Sequence, residues 1–116
     1  MEISMRMLGG VDVLEASGGA TVETPDRLRD AFQHAIRRGR KRFILNLSRA
    51  TLIDSLTIGE LVACFKRARE RGGDVKLVVV PDGIVHELVQ LTGLDRVFQI
   101  YGDEGEAASS FNSDPS

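Results

Sequence analysis

The sequence predicts one small α/β domain with a mostly parallel sheet, an antiparallel N-terminal strand and about four flanking helices. The chain has 116 residues, the size of one ordinary domain. Its composition, 42% hydrophobic and 28% charged, is typical of globular proteins. From Val11 onward, apolar runs alternate with segments of helical periodicity, which implies right-handed crossovers between parallel strands. We expect the domain to span residues 1–111 and residues 112–116 to form a flexible tail.

The first elements are a hairpin and a helix. Apolar and polar residues roughly alternate over residues 3–8 and 11–16, on either side of a pair of glycines, which predicts two antiparallel strands. Thr24 is expected to cap a helix with a proline at its first position. Apolar residues at three-and-four spacing predict one buried face, and Gly39 predicts the end of this helix.

The middle of the chain predicts a central strand and a second helix. Residues 42–48 contain a short apolar run of the kind found in strands covered by helices. Residues 49–55 are expected to form a loop. Apolar residues between positions 58 and 68 again recur at helical spacing, and the glycine pair at 72–73 predicts where that helix stops.

The remaining elements complete the alternation. Residues 75–80 predict a β-branched strand ended by a proline, and Asp82 is expected to cap a third helix that stops at Gly93. Residues 97–101 predict a last strand, and residues 103–111 a short fourth helix with its alanines and phenylalanine inward.

Composition excludes several classes of function. A formal net charge of −2 argues against a nucleic-acid partner. The single cysteine, Cys64, permits no internal disulfide and, with His34 and His86 far apart, suggests no metal site. No apolar stretch is long enough for membrane insertion. We therefore expect a cytoplasmic protein without metal or cofactor. The basic residues at 37–42 span the end of a helix, where cations interact favourably with exposed carbonyls, and we interpret them in this way rather than as a nucleic-acid patch.

The most informative segment for function is 49–57. Loops leaving the carboxyl ends of parallel strands gather along one edge of a sheet, where ligands and partners bind. Here the polar pair Asp54 and Ser55 directly precedes a helix, whose N-terminal N–H groups would hold a phosphate on Ser55. The alternative is simple capping, with Thr57 and Glu60 at capping-box spacing, and local chemistry alone favours it.

Several motifs together resemble the STAS domain family, typified by bacterial anti-sigma factor antagonists. They are ILNLS at 44–48, LIDSLTIGEL at 52–61, the glycine pair at 72–73 and LTGL at 91–94. The resemblance covers nearly the whole chain, with the motifs in the right order and spacing. It implies a sheet flanked by helices and a serine, here Ser55, that a partner kinase phosphorylates.

The resemblance also implies a partner and a mode of regulation. The unphosphorylated antagonist would bind an anti-sigma factor that resembles histidine-kinase ATPase domains, and phosphorylation by that same serine kinase would end the binding. The ATP site would belong to the partner. The residues expected to contact the partner are Asp54, Ser55, Leu56, Thr57 and Ile58.

Two residues depart from the usual family pattern. Asn46, expected to support the phosphorylation loop, stands where the family usually has aspartate, and Thr57 stands where it usually has glycine. Whether either residue alters phosphorylation of Ser55, and whether Thr57 is itself phosphorylated, stay open at the level of sequence.

Three functional hypotheses follow. The first is a phosphorylation-gated binding protein. The second is a constitutive scaffold subunit of a bacterial stress-signalling complex, or a cytoplasmic partner of a transport system, in which self-association dominates. The third, an enzyme, would need a base beside Ser55, and His34 and His86 are distant in sequence; we expect no catalytic residue. Whether the chain forms a homodimer stays open.

Overall fold

The computed structural model describes residues 1–113 and confirms the predicted α/β domain. Over that range the chain forms five strands, four α-helices and one 3-10 helix. They are β1 (Glu2–Leu8), β2 (Val11–Gly19), α1 (Thr24–Arg37), β3 (Arg42–Leu52), α2 (Ser55–Glu70), β4 (Asp74–Val78), α3 (Ile84–Thr92), the 3-10 helix (Leu94–Arg96), β5 (Ile100–Tyr101) and α4 (Glu104–Ser113). The sheet order is β1-β2-β3-β4-β5, with β1 antiparallel to β2 and the other neighbours parallel.

Helices cover both faces of the sheet because the central strands are apolar on both sides. Alternate residues of β3, such as Phe43 and Leu45, enter a large core beneath α1, α2 and α3. The intervening Ile44 enters a smaller core closed by Ala107 and Phe111 of α4. The two faces are therefore distinguishable residue by residue, which decides where the side chains near the site point.

The loop predicted over residues 49–55 is wrong, because β3 continues to Leu52. The end of β2 is also longer than predicted, and Ser17 and Gly18 pair with Arg49 and Ala50. A loop was predicted because residues 49–55 include several polar side chains. The end of β2 supplies backbone hydrogen-bond partners that keep the end of β3 extended. Only residues 53–54 connect β3 to α2.

Two predicted caps are wrong. The N-cap of α1 is Glu23, and Thr24 instead accepts a hydrogen bond from the N–H of Thr21 through Oγ1 at 2.9 Å. The N-cap of α3 is Gly83, while Asp82 has a positive φ of 60° and its N–H donates to Nδ1 of His86 at 2.9 Å. In both cases the residue that was expected to cap the helix is engaged in another local hydrogen bond instead.

The C-terminal quarter is less extended than predicted. The expected strand over 97–101 is reduced to Ile100–Tyr101, because the N–H groups of Val97 and Phe98 turn back to the carbonyl of Leu94 at the 3-10 helix. The helix α4 continues to Ser113, with Ala107 and Phe111 buried as predicted. Residues 114–116, which belong to the predicted tail, lie outside the described part of the chain.

Candidate functional site

Asp54 fixes the start of α2 at the carboxyl edge of the sheet. Its Oδ1 accepts a hydrogen bond from the N–H of Thr57 at 2.8 Å, and its carbonyl accepts from the N–H of Ile58 at 3.0 Å. The hydroxyl and N–H of Thr57 beside this carboxylate hold the pKa of Asp54 below its ordinary value. Asp54 is therefore the N-cap and carries a negative charge at neutral pH, which confirms the capping role that the sequence allowed for it. Thr57 lies inside the helix, so the capping-box spacing of Thr57 and Glu60 is not used at this N-terminus.

Ser55 is the first residue of α2 and is exposed. Within residues 1–113 its hydroxyl makes no hydrogen bond, so it is free to react. The N–H groups of the first turn have no helix carbonyl to bind, and a helix of 16 residues adds a partial positive charge at this end. The geometry can therefore accept a phosphate on Ser55 without refolding.

The other predicted contact residues differ in exposure. Leu56 is 69% exposed and projects from the first turn of α2, whereas Ile58 is half-buried against the larger core. Thr57 is only 1% exposed. Its side chain and hydroxyl are therefore closed to solvent in this conformation, and the predicted partner contacts of residues 54–58 stay a prediction.

Asn46 does not lie beside Ser55. It faces the α4 side of the sheet, where its Nδ2 donates to Oε1 of Glu104 at 3.0 Å and its Oδ1 accepts from the N–H of Ser48 at 2.9 Å. The helix α2, which carries Ser55, packs on the opposite face. Asn46 is thus brought to α4 rather than to the phosphorylation loop.

Exposed apolar residues at the carboxyl edge of the sheet, the edge that also carries Ser55, were not predicted. Leu52, Leu56, Val80 and Ile84 are all large hydrophobic residues exposed by about half or more, and Ile84 reaches 70%. A groove of about 270 Å³ runs between the end of β3 and the start of α3. Its lining residues are Leu47, Ser48, Ala50, Thr51, Val80, Gly83, Ile84 and Val85. The groove brings the end of β3 and the start of α3 together, which the sequence alone does not show.

The remaining candidate residues carry structural roles. Cys64 is buried, and burial raises the pKa of its thiol above the ordinary value, which makes it unreactive. In the basic run, Arg40 pairs with buried Asp12 at 2.8 Å. Among residues 1–113 no group of three histidine, cysteine or acidic side chains is arranged to hold a metal ion. No helix in that range is both long and apolar enough to cross a bilayer.

The strand order, the helices on both faces and the short link from β3 into α2 define a small open-sheet α/β domain with its candidate site at a helix start. A family model described as the STAS domain matches residues 2–107. The chain belongs to the STAS domain family, as the motifs predicted.

Known proteins of similar sequence or structure span nearly the whole chain. The anti-sigma F factor antagonist of Paenibacillus polymyxa is 28% identical over 108 residues, which is 92% of each protein. The crystal structure of a candidate anti-sigma factor antagonist from Thermotoga maritima has a TM-score of 0.83 and 27% identity, covering 93% of this chain and 92% of that one. The cell-fate determinant SpoIIAA of Bacillus, solved in its phosphorylated form, has a TM-score of 0.74 and 20% identity, covering 95% of this chain and 99% of that one. This last likeness is one of fold.

Proposed function

We propose that this protein is an anti-sigma factor antagonist that binds a histidine-kinase-like anti-sigma factor while Ser55 is unphosphorylated, and that phosphorylation of Ser55 ends the binding. The observation that carries the proposal is the exposed hydroxyl of Ser55 at the first position of α2, on the sheet edge that also carries exposed apolar side chains. The names of the relatives support the same role. In this role the chain acts by binding, inside the cytoplasm, and is not an enzyme.

The apolar surface supplies attraction in the unphosphorylated state. Leu56 and Ile84 each leave more than two thirds of their surface in water, and covering them with a partner would release that hydration. The adjoining groove offers a concave seat for an apolar side chain of the partner. In this proposal, binding relies on the apolar side chains at the sheet edge that carries Ser55.

The phosphate would reverse this balance through charge and desolvation. It adds a charge of about −1.5 to −2 at the sheet edge that carries these apolar side chains, next to the ionised carboxylate of Asp54. The helix N-terminus stabilises the phosphate within the free protein, but a partner that covers it must strip its water. Because Ser55 is exposed, this switch acts on the surface and needs no change of fold.

The partner would supply the nucleotide site and the kinase activity. Consistent with this, the sequence contains none of the glycine-rich patterns that hold nucleotide phosphates. The hydroxyl of Ser55 needs only to enter the partner's active site, which its position at the start of a helix on the sheet edge allows.

The test is to incubate the protein with each histidine-kinase-like anti-sigma factor of its own genome, ATP and magnesium, followed by intact-mass measurement and peptide mapping. We expect one phosphate on Ser55, none on buried Thr57, and none on the Ser55→Ala variant. Thr57→Val, which keeps the shape of the buried side chain, is the matched control and should be phosphorylated normally. Stable association with other subunits and no phosphate on Ser55 with any kinase would instead favour the scaffold hypothesis.

A further inference from the structure

We propose that β1 is a self-association surface, through which two copies of this chain pair antiparallel about Ser4 and join their sheets. This inference is independent of the proposed phosphorylation switch. It starts from the position of β1 at the end of the sheet, where it pairs with β2 on one side only.

The free edge of β1 is long, and the charged side chains of this strand are Glu2 and Arg6, which have opposite signs. All seven of its residues pair with β2 in one continuous register, without a bulge, and all except Ile3 are exposed. Edge strands are normally protected by proline, lysine, a bulge or a short length, because their unpaired N–H and C=O groups otherwise recruit another strand. The sequence of β1, EISMRML, contains neither proline nor lysine.

The face of each residue limits the registers available to a symmetric pair. Arg6 lies on the α4 face, where it forms an ion pair with Glu104, whereas Ile3 packs against the larger core on the other face. Met5 and Met7 alternate with Arg6 and share the face of Ile3. Residues opposite each other in antiparallel strands must lie on the same face of the sheet. The two-fold axis must therefore lie between the two copies of one residue, so that this residue faces itself.

A two-fold axis at Ser4 gives the best match of side chains. It places Glu2 opposite Arg6 of the second copy, twice, and Ile3 opposite Met5, twice, so that one face pairs opposite charges and the other pairs apolar groups. An axis at Met5 would place Glu2 opposite Leu8. An axis at Arg6 would place two arginines opposite each other.

The charged groups needed for this pairing are accessible. Glu2 is exposed and forms no ion pair within the described residues, and the side chain of Arg6 is 45% exposed despite its contacts with Glu15 and Glu104. A guanidinium carries five N–H donors, so it can bind a further carboxylate. Ser55 and α2 take no part, and each copy keeps its own switch.

A cysteine at the proposed axis gives the most direct test. Ser4→Cys would place two thiols on facing positions, within reach of a disulfide, and mild oxidation should give a covalent dimer. Met7→Cys is the matched control on the same strand, because its two copies would lie roughly 20 Å apart and should stay uncoupled. The native Cys64 is 1% exposed and does not interfere.

Sedimentation velocity on the unmodified protein gives a second test. We expect the average mass to rise towards that of a dimer with concentration, and Glu2→Arg, which places arginine opposite Arg6, to raise the dissociation constant about tenfold. Glu2→Gln should have a smaller effect. A monomer at every concentration, equal cross-linking of the two cysteine variants, or a dimer indifferent to Glu2→Arg would overturn the proposal.

Discussion

Asp54 combines two roles at the start of α2. Its carboxylate ties the N–H of Thr57 and so sets the first residue of the helix, which in turn determines that Ser55 projects into solvent. The same carboxylate places a negative charge next to the proposed phosphorylation site. The residue therefore belongs to the fold and, in the proposal, to the switch, and both roles depend on its ionised form.

The first prediction concerns the pH dependence of stability at Asp54. Its pKa in the folded protein lies below the ordinary value of 3.8, so its ionised form stabilises the fold above that value, and the contribution is lost as pH falls through the folded pKa. The difference in free energy of unfolding between the unmodified protein and Asp54→Asn should be largest above about pH 5 and fade in acid. Urea titrations across pH 2 to 7 measure it. A difference independent of pH would contradict this role.

The second prediction concerns Asn46, whose amide donates to the Glu104 carboxylate. Burial raises the pKa of Glu104, but hydrogen bonds from Arg6 and Asn46 hold it below its ordinary value overall. Asn46→Asp would set two carboxylates together and should lower the free energy of unfolding by roughly 1–3 kcal/mol at neutral pH, less in acid.

The same substitution should leave the rate of Ser55 phosphorylation unchanged, because Asn46 faces α4 and α2 lies on the other side of the sheet. Asn46→Ala, which removes the hydrogen bond without adding charge, is the control for stability. A changed phosphorylation rate with unchanged stability would mean that Asn46 does act on the loop.

At the scale of elements, local signals predicted the helices better than the strand ends. Gly39, Gly72 and Gly93 each follow a helix with positive φ, a backbone state that glycine adopts most easily, so these stops were legible in the sequence. The extension of β3 could not be predicted from the local sequence, because Arg49 and Ala50 are held extended by the end of β2, some thirty residues earlier. Strand ends depend on a neighbour that the local sequence does not contain.

The third prediction compares two glycines at the start and after the end of α2. Gly59 lies in the helix with open space at its Cβ position, so Gly59→Ala should raise the free energy of unfolding by about 0.5–1 kcal/mol. At Gly73 a Cβ would lie 2.2 Å from the carbonyl oxygen of Lys41. Gly73→Ala must displace the backbone and should lower the free energy of unfolding by about 1–3 kcal/mol. Thermal or urea unfolding measures both, and equal effects would show that the approach of the two backbones is not close.

At the scale of the molecule, the order of the elements and the mostly parallel sheet were predictable, but the contacts between residues distant in sequence were not. The place of Ser55 at a helix start was predictable from the polar pair before the helix, whereas its proposed phosphorylation came from the family resemblance. The groove between β3 and α3 joins Ala50 to Ile84, and the contact of Asn46 with Glu104 spans 58 residues. Each depends on which side of the sheet a strand residue faces, and on which helix covers that side.

The fourth prediction is that the switch leaves the fold intact. Ser55 is exposed at the N-terminus of α2, where negative charge is favourable, so Ser55→Glu should keep the free energy of unfolding within about 0.5 kcal/mol of the unmodified value. Amide hydrogen exchange should be unchanged beyond the first turn of α2. Ser55→Ala serves as the uncharged control. Loss of protection across the sheet in Ser55→Glu would show instead that the charge acts by unfolding.

The central claim is that a phosphate on Ser55 controls binding of the anti-sigma factor. The most direct measurement is calorimetric titration of that partner with the unphosphorylated protein and with protein phosphorylated on Ser55, under the same conditions. The account predicts clear binding of the first and an affinity weaker by roughly a hundredfold or more for the second. Equal affinities of the two forms would contradict it.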